Sequence, residues 1–142
     1  MGSASAAGSA GGRSTRRAPL FMSPVWAGFP SPAADYVEER LDINRYLVRR
    51  PAATFFVKVR GDSMTGAGIH SGDILVVDRS EEPTDGKVVV AALDGELTVK
   101  RIRFIGDKVL LVADSDGYSP IAVDEGAEFA VWGVVKHSIH SL

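Results

Sequence analysis

The sequence predicts a mainly β protein, with antiparallel strands in a folded-sheet or barrel-like arrangement and a flexible N-terminal arm. Three observations carry that expectation. From Ala53 onward, short runs rich in Val, Ile, Leu and Phe recur: Thr54–Arg60, Asp73–Asp78, Lys87–Leu93, Glu96–Phe104, Lys108–Ala113 and Glu128–Lys136. Turn signals separate them, namely Gly66-Ala67-Gly68, Asp85-Gly86, Asp94-Gly95, Gly106-Asp107, Asp116-Gly117 and Asp124-Glu125-Gly126. Closely spaced strands with such punctuation form hairpins. Only one stretch offers a helical pattern, and six strands beside one helix candidate fit an antiparallel domain.

In chain order, residues 1–19 are a Gly/Ser/Ala tract followed by an arginine cluster and Pro19. Such a tract has too little apolar surface to offset the entropy of ordering it, so it is expected to be disordered. Leu20-Phe21-Met22 and Trp26 are apolar side chains in a segment otherwise poor in structure. Phe29-Pro30-Ser31-Pro32 keeps the chain extended, because each proline disfavours helix at the residue before it. Pro32 to Leu47 is expected to be a helix or helical turn, with Ser31 as N-cap, Pro32 at the first position and Tyr36, Val37 and Leu41 on an apolar face. Asp42-Ile43-Asn44 and Arg49-Arg50-Pro51 read as a break before the first core strand. Met64-Thr65-Gly66 begins a short turn. Val88-Val89-Val90-Ala91-Ala92-Leu93 is apolar on both faces and belongs at the centre of the sheet. The chain thus divides into an arm (1–27), a linker with a short helix (28–50) and a β domain (51–142).

At 142 residues, with 45% hydrophobic and 24% charged residues, the chain has the length and composition of one globular domain. It has no cysteine, which excludes disulfides and thiolate chemistry. His70, His137 and His140 do not form a metal-ligand pattern, so neither a metal nor another cofactor is expected. Residues 1–27 carry +3 from Arg13, Arg16 and Arg17 with no acid, which leaves −5 on the rest of a chain of net charge −2. An acidic body gives no support to sequence-specific DNA binding. There is no apolar run of about 18 residues to span a membrane. Pro19, Ser23 and Pro24 interrupt the apolar stretch that an export signal would need, and a cytoplasmic protein is expected.

The residues that carry chemistry are in Arg60-Gly61-Asp62-Ser63-Met64 and at Lys100, 37 positions after Ser63. Ser63 follows a strand-like run and sits where Gly61 lets the backbone turn sharply, so its hydroxyl and its N–H can both be exposed. Lys100 closes the run Glu96-Leu97-Thr98-Val99-Lys100, launched from Asp94-Gly95. A lysine serves as general base for a serine when desolvation lowers its pKa, and Ser–Lys is a recognised nucleophile–base pair. The backbone N–H groups of Asp62 and Ser63 are the candidate oxyanion donors. Asp62 is expected to cap the turn and Arg101 to be a surface charge.

Taken with Val25-Trp26-Ala27-Gly28-Phe29-Pro30 upstream, and with Ser71-Gly72-Asp73-Ile74-Leu75-Val76-Val77-Asp78 downstream, these motifs resemble the UmuD/LexA family of self-cleaving proteins over about Pro24 to Val135. The resemblance implies that Ala27–Gly28 is the scissile bond, Ser63 the nucleophile and Lys100 the base. It also implies that cleavage is stimulated by a RecA–single-stranded DNA filament and removes residues 1–27. Only 27 residues precede the cut, with no helical period, so the winged-helix DNA reader of LexA-type repressors does not fit there. The resemblance is to the UmuD branch, whose trimmed form is a homodimeric subunit of an error-prone translesion polymerase with UmuC. Ala27 stands where the best-known member of that branch has cysteine. Two other readings remain open: a non-catalytic module that binds polymerase or RecA, and a signal-peptidase-like Ser–Lys protease.

Overall fold

The structure is a computed structural model that describes residues 17–21, 25–28 and 38–142. The described residues form two compact units that divide between Leu47 and Val48.

In the first unit, strand β1 (Ala18–Phe21) pairs antiparallel with β2 (Glu38–Leu41), with Ala18 opposite Leu41. The guanidinium of Arg40 donates to the Arg17 carbonyl at 3.1 Å. Helix α1 (Ile43–Leu47) follows at once. Two expectations are corrected here. Ala18 and Pro19 are paired in a strand and not part of a disordered tract. Within the range expected to be helical, Pro32–Leu47, the described residues are helical at Ile43–Leu47 and extended at Glu38–Leu41. The rest of that range, like residues 1–16, lies outside the described residues. Asp42 decides where the helix starts. Its Oδ1 accepts from the N–H groups of Asn44 (3.1 Å) and Arg45 (3.4 Å), which makes it an N-cap where a break was expected.

The second unit is built on one antiparallel sheet of seven strands: β3 (Thr54–Lys58), β4 (Ile74–Asp78), β5 (Val88–Leu93), β6 (Glu96–Ile105), β7 (Lys108–Val112), β8 (Ile121–Val123) and β9 (Phe129–Ile139). Their order across the sheet is β3-β4-β9-β5-β6-β7-β8. All six expected strands are present. The sequence reading missed β8, whose three residues are too few to show alternation, and the β1–β2 pair. The last strand returns to the middle of the sheet, between β4 and β5. Two register shifts on β9 leave Trp132 and Lys136 as extra residues, one against β5 and one against β4. Such bulges bend a strand and increase its twist, and this curls the sheet.

The curled sheet has two apolar clusters. One gathers Val59, Met64, Ile69, Leu75, Val77 and Val90, and the other Val89, Ala91, Ile102, Leu111 and Val134. Val89 and Val90 alternate along β5 and enter different clusters, so this strand is buried on both faces, as its sequence requires. Each such side chain contributes about 1.5–3 kcal/mol by leaving water. The first cluster supports the turn between β3 and β4, where Met64 and Ile69 are buried anchors on either side of a 3-10 turn at Thr65–Ala67.

Candidate active site

Ser63 lies in the turn that leaves β3. Gly61 takes φ +102° there, a left-handed conformation that a side chain would strain, and its N–H donates to Ser71 Oγ at 3.2 Å. Val59 and Gly72 close the base of the loop: Val59 N–H donates to Asp73 O at 2.9 Å and Gly72 N–H to Val59 O at 2.8 Å. Met64 is buried in the core immediately after the serine. The turn is thus anchored at both ends, and Ser63 stays half-exposed between them.

Lys100 comes from β6, where it pairs in register with Val89 of β5. Its Nζ lies 3.2 Å from Ser63 Oγ, 2.8 Å from Thr98 Oγ1 and 3.2 Å from the Val99 carbonyl. Among the described residues no carboxylate pairs with Lys100. Burial without an anion disfavours the ammonium and holds the Lys100 pKa below the ordinary 10.5. The valence of a neutral amine fits the site. An ammonium would donate to all three partners, whereas the neutral amine would donate to Thr98 Oγ1 and Val99 O and turn its lone pair to the Ser63 hydroxyl, which then becomes the donor. Thr98 was not singled out from the sequence. The available signal was its spacing of two from Lys100, which puts both on one side of a strand.

A cleft of about 410 Å³ opens beside the pair, walled by Val57, Val59, Met64, Val90, Leu97 and Val99. Its apolar wall is the physical source of the lysine's desolvation. Among the described residues the strand β3 that borders it bonds only to β4, and no strand covers its other edge. Among the described residues no protein acceptor takes a hydrogen bond from the N–H of Asp62 or Ser63. Ala27 and Gly28 belong to the first unit, where they form an exposed bend next to exposed Val25 and Trp26.

One expected minor role is corrected and another is filled in. The Asp62 carboxylate does not cap its own turn; it accepts the Tyr118 hydroxyl. That bond to an anion raises the pKa of Tyr118 above the usual phenol value. Arg101 is a surface charge, as expected, and it is ion-paired. It pairs with Asp114 through Nε at 3.1 Å and Nη2 at 3.0 Å, and its Nη1 donates to Gly86 O at 2.9 Å. The histidines make no metal site with neighbouring groups among the described residues. His140 Nδ1 instead meets the buried Asp73 at 2.6 Å.

Residues 19–136 match the peptidase S24-like family, over four-fifths of the chain. The chain belongs to that family. Relatives within reach include Protein SamA of Salmonella typhimurium, 50% identical over 123 residues, which span 87% of this chain and 85% of SamA. Protein ImpA of Escherichia coli is 47% identical over 123 residues, covering 86% of this chain and 83% of its own. Protein MucA of Escherichia coli is 38% identical over 131 residues, covering 92% and 90%. This S24 chain is UmuD-like, and it folds as the antiparallel β protein its sequence announced. No helix among its described residues is long and apolar enough to cross a membrane.

Proposed function

We propose that this protein cuts its own backbone between Ala27 and Gly28 with Ser63 as nucleophile and Lys100 as general base. The observation that carries the reading is the 3.2 Å contact between Ser63 Oγ and a desolvated lysine that has no anionic partner among the described residues. Neutral Lys100 takes the Ser63 proton as Oγ adds to the Ala27 carbonyl. The oxyanion that forms is placed to accept from the N–H groups of Asp62 and Ser63. On collapse the Ala27–Gly28 bond breaks and Lys100 returns the proton to the Gly28 amine. Water then hydrolyses the Ala27 ester on Ser63. The open edge of β3 offers main-chain bonds to an extended peptide, the usual way a protease aligns its substrate. Small Ala27 and Gly28 suit close approach to the cleft.

The same reading assigns the cellular role. A UmuD-like S24 protein acts in the SOS response, cutting itself when a RecA–single-stranded DNA filament stabilises the docked arm over the undocked one. Loss of residues 1–27 leaves residues 28–50 as a linker to the body at 51–142. This trimmed form serves as the homodimeric subunit of an error-prone translesion polymerase with a UmuC-like partner, in the cytoplasm. The test is intact mass after incubation with activated RecA filaments, and separately at pH 7 to 10, for the parent, Ser63→Ala and Lys100→Ala. Fragments that split between Ala27 and Gly28, absent from both variants, are the expected result. An unbroken chain under filament and alkali alike overturns the reading in favour of a non-catalytic module.

A further inference from the structure

The Ser63 turn is held from outside by the connection that leaves β7. Asp114 N–H donates to the Ser63 carbonyl at 2.8 Å, and the Gly66 N–H donates to the Asp114 carbonyl at 2.6 Å. The backbone of one residue thus bonds the nucleophile turn on both sides of Met64. The packing leaves no slack, since a Cβ built on Gly66 would stand 2.4 Å from Asp114 Oδ1 and 2.6 Å from its carbonyl oxygen. The side chain of Asp114 is held in turn by Nε and Nη2 of Arg101, which converge on its Oδ2. Arg101 is the residue after Lys100, and its remaining guanidinium nitrogen is tied to Gly86 O. Nothing in the proposed proton transfer uses this chain of contacts.

We infer that Asp114 is a positioning residue for Ser63, and that its ion pair with Arg101 makes the base-bearing strand and the nucleophile turn a single rigid frame. The inference rests on the Ser63–Lys100 reading above. β6 sets the position of Lys100 through its backbone and of Asp114 through Arg101, and Asp114 sets the Ser63 peptide. The Ser63 Oγ to Lys100 Nζ distance is therefore fixed by bonds that bypass the reacting atoms. The Tyr118 hydroxyl, from the same connection, adds a second strap to Asp62. Fixing the Ser63 carbonyl also orients the adjoining peptide planes, whose N–H groups are the oxyanion donors.

The experiment measures alkaline self-cleavage of the full chain against pH for the parent, Asp114→Ala, Asp114→Asn, Arg101→Ala and Gly66→Ala, with Ser63→Ala and Lys100→Ala as controls and circular dichroism to report folding. A displacement on the order of 1 Å at a reacting pair costs up to about 100-fold in rate. Asp114→Ala, Arg101→Ala and Gly66→Ala are expected to cut about 10- to 100-fold more slowly at every pH. The midpoint of the alkaline rise should not move, because Lys100 keeps its apolar wall. Asp114→Asn retains an oxygen for Arg101 and is expected to recover most of the rate. A merely structural role would lower the melting temperature and leave the rate of the folded protein alone. Folded Asp114→Ala and Arg101→Ala cutting within about two-fold of the parent, or slowed only through a displaced midpoint, would overturn the inference. Should Asp114→Ala fail to fold, Arg101→Ala and Asp114→Asn decide the question, since Arg101 lies at the surface with its side chain 38% exposed. If Ser63→Ala and Lys100→Ala cut like the parent, the dyad reading itself fails, and that outcome is distinct from loss of the Asp114 inference alone.

Discussion

At the residue scale the site turns on a lysine kept partly out of water. Lys100 has no carboxylate partner among the described residues, and burial penalises its ammonium. The sign follows from linkage. A lysine whose folded pKa lies below its unfolded value of 10.5 leaves the folded state with fewer bound protons, so the penalty is full below the folded pKa and vanishes above 10.5. Lys100→Met is therefore expected to raise stability at pH 7 by about 1 kcal/mol while abolishing cleavage, a trade between activity and stability common at active sites. Urea unfolding at pH 7 and again near pH 11 checks it, and the gain should shrink at the higher pH. Thr98 holds one of the amine's hydrogens at 2.8 Å. Thr98→Val keeps the shape and removes that acceptor, so the lone pair is no longer aimed at Ser63. Cleavage should fall about ten-fold with the melting temperature nearly unchanged.

At the scale of elements, β9 controls the curvature that brings the Ser63 turn and β6 together. It runs between β4 and β5, and at Gly133 it passes so close to β4 that an added Cβ would lie 2.7 Å from Val77 Cγ1 and 2.8 Å from the Asp78 carbonyl. A backbone oxygen cannot swing aside as a side chain can. Gly133→Ala is accordingly expected to destabilise by about 1–3 kcal/mol, read from the denaturation midpoint, through overpacking at the sheet's centre. The sequence could not announce this, because Gly133 lies inside an apolar run and shows no turn signal. What it did announce depended on local physics. Runs rich in Val, Ile, Leu and Phe between turn pairs located six strands, and Val88–Leu93 revealed its central place because apolar residues on both faces need cover on both faces. The contact between Ser63 and Lys100 was expected from their motif and spacing taken together with the family resemblance. The roles of Thr98, Asp114 and Arg101 were not, since they come from which strands lie side by side. The helix expected over Pro32–Leu47 is met at Ile43–Leu47 and missed at Glu38–Leu41, whose sequence is equally compatible with a strand once β1 offers it a partner.

At the scale of the whole molecule, four carboxylates tie distant stretches of chain together, and all four are held below their ordinary pKa. Burial alone would raise Asp73, but the His70 N–H, His140 and Ser138 outweigh it and join the start of β4 to the end of β9. Asp78 is lowered first by the Ser80 hydroxyl, with the Ser80 N–H and Arg50 adding to it against burial. Glu81 is lowered by Lys136, the extra residue in the β9 bulge, and by Lys87. Asp85 is lowered by the Phe104 N–H and by Arg103 of β6. For each, the unfolded chain takes up its proton near 3.8 for the aspartates or 4.5 for the glutamate, while the folded protein resists until lower pH. The stabilisation is thus complete above these values and is lost as pH falls through the depressed folded pKa values. A melting temperature that these groups leave level from pH 8 to about pH 5 and that falls steeply below about pH 4 is the expected profile. Asp73→Asn should lower the melting temperature at pH 7 and make the acid fall shallower, because one of the four contributions is then missing at both ends. A variant as steep in acid as the parent would show that Asp73 does not carry its share. The acid side of the stability curve is therefore set by the ties between strands, and on the alkaline side two groups oppose each other: the penalty on Lys100 lifts as pH rises, while the stabilisation from Tyr118, whose folded pKa is raised, is lost.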